Sequence, residues 1–141
     1  MRSPAGAVGI MQLLPSTAKD PNVAIENIFE TESNIHAGIK YLQFIRDRYF
    51  SSPAIDLSNQ TFFALAAYNA GPARVRELRK KAKQAGYDPN VWFDNVELIA
   101  AQEIGRETVQ YVSNIYKYHL TYQLVAKQQL KHLSARKKVG L

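Results

Sequence analysis

The sequence predicts one mainly α-helical domain, with at most a small β element near its N-terminus. Three observations carry this. Apolar residues recur at spacings of three and four over two long stretches, residues 31–50 and 107–133. Proline and glycine mark points where helices would open and close, as at Pro15, Gly71 and Pro72. No alternating run of length marks a strand, and there is no internal repeat or low-complexity segment. With 141 residues, 46% of them apolar and 21% charged, the chain has the length for a packed core and the composition of a globular protein.

The first twenty residues read as a loop, a short extended segment around Ile10–Leu14 and a turn. Pro15 then opens a short helix that Asp20-Pro21-Asn22 ends. In residues 31–50, Ile35, Ile39, Leu42, Ile45 and Tyr49 make one buried stripe, with Thr31 or Ser33 as cap and Ser51-Ser52-Pro53 as breaker. Ser58 suits the N-cap of a helix over 60–69 that is apolar on most sides and therefore central. Its Ala64, Ala66 and Ala67 admit a close neighbour. Gly71 fits the end of that helix and Pro72 the start of a basic one reaching toward Gly86. Residues 91–101 read as helical, and Gly105 interrupts. The last helix, 107–133, turns Val109, Val112, Ile115, Tyr116, Leu120 and Leu124 inward. Residues 1–133 thus form the domain, and 134–141 a basic tail expected to fray.

Eighteen basic and twelve acidic residues give a net charge of +6. That balance favours anionic partners. The charge is clustered: Arg74, Arg76, Arg79, Lys80, Lys81 and Lys83 face Glu77 alone, and Lys127, Lys131, Arg136, Lys137 and Lys138 stand with no acid. The absence of cysteine excludes disulfide scaffolds, zinc-thiolate sites and Cys nucleophiles. No apolar run approaches the roughly 20 residues of a membrane helix, and Met1-Arg2 lead into Ser3-Pro4-Ala5-Gly6 without the pattern of an export signal. His36, His119 and His132 lack ligand-like spacing, so no metal is expected, and no motif calls for a cofactor.

Three segments carry chemistry together. They are Ser3-Pro4-Ala5-Gly6-Ala7-Val8-Gly9-Ile10-Met11-Gln12-Leu13-Leu14-Pro15-Ser16-Thr17-Ala18, then Ala64-Leu65-Ala66-Ala67-Tyr68-Asn69-Ala70-Gly71-Pro72, then Glu107-Thr108-Val109-Gln110-Tyr111-Val112-Ser113-Asn114-Ile115. In this order, with Asn34-Ile35, Gly38 and Tyr41-Leu42 between, the chain resembles the catalytic domain of lytic transglycosylases of the soluble, goose-lysozyme-like type. Trp92-Phe93 and the long connection around them are similar to the membrane-bound F-type branch. The resemblance implies a lysozyme-like helical fold and a periplasmic or cell-envelope setting. It also implies peptidoglycan glycan strands as partner. The reaction is a non-hydrolytic cut of the MurNAc–GlcNAc β-1,4 bond, in which the muramyl 6-hydroxyl attacks the anomeric carbon and leaves a 1,6-anhydro ring. One Glu of raised pKa serves as acid and then base.

In the family that Glu stands in a Glu-Ser motif upstream of the position matched by Ser3. The chain therefore reads as an N-terminally truncated domain with no catalytic residue of its own. By the same match Ser3, Met11, Gln12, Tyr68, Asn69, Glu107 and Tyr111 are the substrate-binding candidates. Their side chains suit the task independently. The amides of Gln12 and Asn69 can both donate to and accept from N-acetyl and hydroxyl groups, and a Tyr gives a ring face and a hydroxyl. Ser3 also reads as a turn residue, Met11, Tyr68 and Tyr111 as core, Asn69 as a helix C-cap, and Glu107 as a helix-start acid. Two other functions compete: a glycan-binding module that breaks no bond, and a basic helical nucleic-acid binder, which the three-segment match disfavours. Apolar faces of the 31–50 and 60–69 helices, uncovered by a missing helix, would promote self-association.

Overall fold

The computed structural model describes residues 6–7, 11–12 and 14–140. The helices are α1 (Pro15–Lys19), α2 (Thr31–Tyr49), α3 (Leu57–Ala70), α4 (Pro72–Gln84), α5 (Glu97–Glu103) and α6 (Arg106–Lys138). No strand occurs among the described residues, and the chain is mainly α. Helix α3 is central because its Phe63–Ala67 run has nothing polar to present to water: all five residues are buried. Helices α2, α4 and α6 pack around it, and α5 closes against α4 and α6.

Aromatic rings fill the core. Phe50 stacks on Phe63 at 5.7 Å, and Phe63 meets Trp92 edge-on at 6.1 Å. Burying each such ring stabilises the fold by about 1.5–3 kcal/mol. The Arg79 guanidinium lies 5.1 Å over Phe63 and 5.9 Å over Phe50. It donates to the Pro89 carbonyl at 2.8 Å and to Asn90 Oδ1 at 2.9 Å, which holds the 87–91 turn on the body. Burial, with Arg76 beside it, lowers its pKa. A chain of hydrogen bonds fastens Trp92 to the start of α3. Asp56 accepts from the Asn59 backbone N–H and from Asn59 Nδ2, and Asn59 Oδ1 accepts from the Trp92 backbone N–H at 2.8 Å.

Several expectations are corrected. The caps are Glu30 and Asp56, not Thr31, Ser33 or Ser58. Thr31 already lies inside α2, and Asp56 supplies the oxygen that the start of α3 needs. On α2 the buried residues are Asn34, Ala37, Gly38 and Ile45, while Ile35 and Ile39 are exposed. The apolar stripe is broader than the surface its neighbours cover. Helix α3, by contrast, is covered. The 91–101 helix is broken: Trp92–Val96 is an irregular turn in which Phe93 is extended and Asp94 has φ 60°. The Glu97 carboxylate reaches back to the Asp94 N–H at 2.9 Å, so α5 starts late. Helix α6 continues to Lys138 instead of ending near Leu133. Its inward set stops at Tyr116, for Leu120 and Leu124 are exposed beyond the last packed turn.

Candidate functional site

The site is built on a turn at Met11–Gln12 that α2 and α3 hold from both sides. Asn34, wholly buried on α2, accepts from the Met11 backbone N–H at 2.7 Å and donates through Nδ2 to the Ile28 carbonyl at 3.0 Å. Tyr68, near the end of α3, donates its hydroxyl to the Met11 carbonyl at 2.6 Å. The Met11 side chain lies against Gly38. A Cβ at that position would stand 2.6 Å from Met11 Cε and 2.7 Å from Met11 Cγ, so only glycine admits this approach. Beneath lies a small cluster of Ala18, Val23, Ile28 and Ala37. The next residue, Gln12, takes a left-handed φ of 50°. This turns the chain out of the apolar stretch, and Gln12 is exposed rather than buried as its neighbours suggest.

A cleft of about 260 Å³ opens here, lined by Ala7, Gln12, Leu14, Thr17, Tyr41, Tyr68 and Asn69. The Tyr41 and Tyr68 rings stand 5.5 Å apart, tilted by 52°. Asn69 Oδ1 accepts from Thr108 Oγ1 at 2.7 Å, which ties the cleft wall to the first turn of α6. Burial pushes the Tyr68 hydroxyl far above the usual phenol range, helped by Tyr111 and Tyr41. Tyr111 is raised by burial, and Tyr41 by burial with Tyr49 and Asp20. All three are therefore neutral, hydrogen-bonding phenols at pH 7. The walls offer ring faces, two amides and a threonine hydroxyl, which fit an uncharged ligand rich in hydroxyl and acetamido groups. Among the described residues they offer no carboxylate, and phenols displaced upward cannot give up a proton near neutrality.

Of the sequence candidates, Gln12, Tyr68 and Asn69 meet in this cleft. Met11 lies beneath it and holds the turn. Tyr111 sits close enough to Tyr68 to affect its ionisation but is packed on the main core. Glu107 is exposed in the first turn of α6 and does not line the cleft. Ser3 lies outside the described residues. Tyr41 and Thr17 are wall residues that sequence reasoning passed over. Tyr41 falls one turn after Ala37 on the buried side of α2, and Thr17 stands within the Ser3–Ala18 segment. Larger hollows of about 430 and 640 Å³ lie beside Phe44 and beside Phe29. Neither brings any of the site candidates together. Among the described residues no His, Asp and Glu group could hold a metal ion.

Trp92 is wholly buried and its Nε1 has no partner among the described residues. It stiffens the core and does not touch the cleft.

The chain belongs to the transglycosylase SLT domain family, whose model matches residues 1–91. It is 36% identical over 133 residues to the membrane-bound lytic murein transglycosylase F of Shewanella woodyi. That match covers 85% of this chain and 27% of the relative. It is 34% identical over 130 residues to the protein of the same name from Marinobacter nauticus, covering 83% of this chain and 25% of the relative. It is 30% identical over 141 residues to that of Pseudomonas fluorescens, covering 91% and 28%. The chain thus spans about a quarter of the length of these relatives.

Proposed function

We propose that this chain is the glycan-cradling part of a lytic transglycosylase domain acting on peptidoglycan in the cell envelope, and that it binds without cleaving. The observation that carries this reading is the composition of the cleft. Tyr41, Tyr68, Gln12, Asn69 and Thr17 supply ring faces and neutral hydrogen-bonding groups, and no Asp or Glu is among the described residues that line it. Cleavage of the MurNAc–GlcNAc bond needs an acid to protonate the leaving oxygen and a base to take the proton from the muramyl 6-hydroxyl. A longer polypeptide that brings one carboxylate to this cleft would complete the reaction and release 1,6-anhydro ends. The relatives' names support the same substrate.

The test uses insoluble purified cell walls. The chain is expected to co-sediment with them and to release no anhydro-muropeptides, and Tyr68→Ala with Asn69→Ala is expected to reduce co-sedimentation at least tenfold. Robust release would show that a carboxylate of this chain works. Failure to co-sediment would end the binding reading.

A further inference from the structure

The distal part of α6 answers to different chemistry. The helix has 33 residues and is about 50 Å long. Its buried residues, Thr108 and Val112, lie in its first two turns, and from Lys117 onward every described residue but the half-buried Ala126 is exposed. Even so, this exposed length is not polar. Tyr118, Tyr122, Leu130 and Leu133 are all more than half exposed, and Val125 nearly so. With Ala126 they repeat at spacings of three and four and form one stripe about 22 Å long. Lys127, Lys131 and Lys138 share the other side of the helix with the exposed Leu120 and Leu124, and Arg136 and Lys137 follow the stripe in the last turn. From Thr108 to the end of the chain there are six Lys and Arg and no Asp or Glu. None of these six cations makes an ion pair among the described residues.

We propose that residues 117–138 are a docking surface for an anionic phospholipid bilayer, lying in the plane of the membrane with the tyrosine–leucine stripe in the headgroup and acyl boundary and the lysines toward anionic headgroups. A cationic helix with a separate apolar face has the pattern of interfacial helices. No helix among the described residues is long and apolar enough to cross a membrane, so the contact is with the surface. Charge and apolarity together select this occupant. A nucleic acid or anionic glycan would satisfy the lysines but leave Leu130 and Leu133 in water. A second copy packed stripe against stripe would cover the leucines but leave the lysines on the other side with no anionic partner. The proposal does not depend on the cleft, and glycan binding and vesicle binding can fail separately.

The experiment is sedimentation of the full chain with vesicles of equimolar phosphatidylcholine and phosphatidylglycerol, beside vesicles of phosphatidylcholine alone. The expected result is binding to the anionic vesicles only, weakened by salt. Lys127→Ala with Lys131→Ala should weaken partitioning by roughly tenfold or more, and Leu130→Ser with Leu133→Ser by a similar factor. All four positions are exposed, so the helical circular dichroism of both variants should be that of the parent. Absence of binding to anionic vesicles overturns the proposal. So does equal binding to both vesicle types, or binding that the leucine variant leaves unchanged. A dimer that Leu130→Ser with Leu133→Ser dissolves, without vesicle binding, would assign the stripe to a second copy instead. Retention of DNA without vesicle binding would assign the lysines to a polyphosphate.

Discussion

Helices α4 and the distal half of α6 look alike in the sequence, each a run of cations on an amphipathic pattern, but the fold treats them oppositely. On α4, Arg79 is drawn over Phe50 and Phe63 and fastened to Pro89 and Asn90. Lys81 bridges Glu77 and Glu103 and so joins α4 to α5. Its apolar face, Val75, Leu78 and Ala82, is buried. Distal α6 has neither: no acid accompanies its lysines, and no helix among the described residues covers its leucines. A basic amphipathic pattern therefore reports only that a helix has two faces. Whether the charges are structural depends on acids and aromatic rings elsewhere in the chain.

The contrast can be broken by substitution, most sharply at Arg79. Arg79→Ala removes a cation–π contact and two hydrogen bonds and strands the buried Phe50–Phe63 edge. It should destabilise the domain by about 2–4 kcal/mol, whereas Lys127→Ala should stay within about 0.5 kcal/mol. Urea unfolding measures both, and equal effects would erase the distinction. Asn34→Ala extends the comparison to the clamped turn. It leaves the Met11 N–H and the Ile28 carbonyl without their partner and should cost about 2–3 kcal/mol. Gly38→Ala forces Met11 off its seat at about 1–3 kcal/mol and should loosen the cleft. That variant's glycan co-sedimentation should fall with its melting temperature.

The pH dependence is smaller but specific. Tyr41, Tyr68 and Tyr111 have pKa values raised in the folded state above the roughly 10 of an unfolded tyrosine. Protonation of these phenols thus favours the fold. Their contribution is complete below about pH 10 and is lost as pH rises through the folded values. Absorbance titration near 295 nm should show three of the eight tyrosines ionising late, or only as the protein unfolds. Tyr68→Phe should remove one of them. Smallest of all is self-association through exposed Phe29, Ile35 and Ile39. Light scattering should find a concentration-dependent increase in mass that Ile35→Lys with Ile39→Lys abolishes, and a strict monomer would contradict it.

Much of the fold could be read from the residues. Helix boundaries set by Pro15, Pro72 and the glycines hold to within a few positions, because those signals act on the local backbone. Sequence reading fails where burial depends on a neighbour. Ile35, Ile39, Leu120 and Leu124 fit helical stripes but are exposed, since periodicity describes a face and not what covers it. The break at Asp94 was hidden because a left-handed residue followed by a capping Glu97 differs little in sequence from continuous helix. In the cleft, Gln12, Tyr68 and Asn69 were legible because the family's segments carry them. Asn34 and Gly38 appeared only as spacing. Their roles, one amide holding two backbone groups and one missing Cβ, exist only once the turn at Met11 is folded over them. Trp92 marked the branch correctly but is buried in the core, so its fluorescence reports packing, not ligand contact.

Glycan binding by this chain requires that Gln12, Tyr68 and Asn69 form one ligand-holding cleft. The most direct test is a ¹H–¹⁵N correlation titration of the chain with a chitooligosaccharide. Saturable shifts are expected at Gln12, Thr17, Tyr68 and Asn69, with distal α6 unmoved. Shifts confined to other surfaces, or none at saturating ligand, would contradict a glycan-holding cleft.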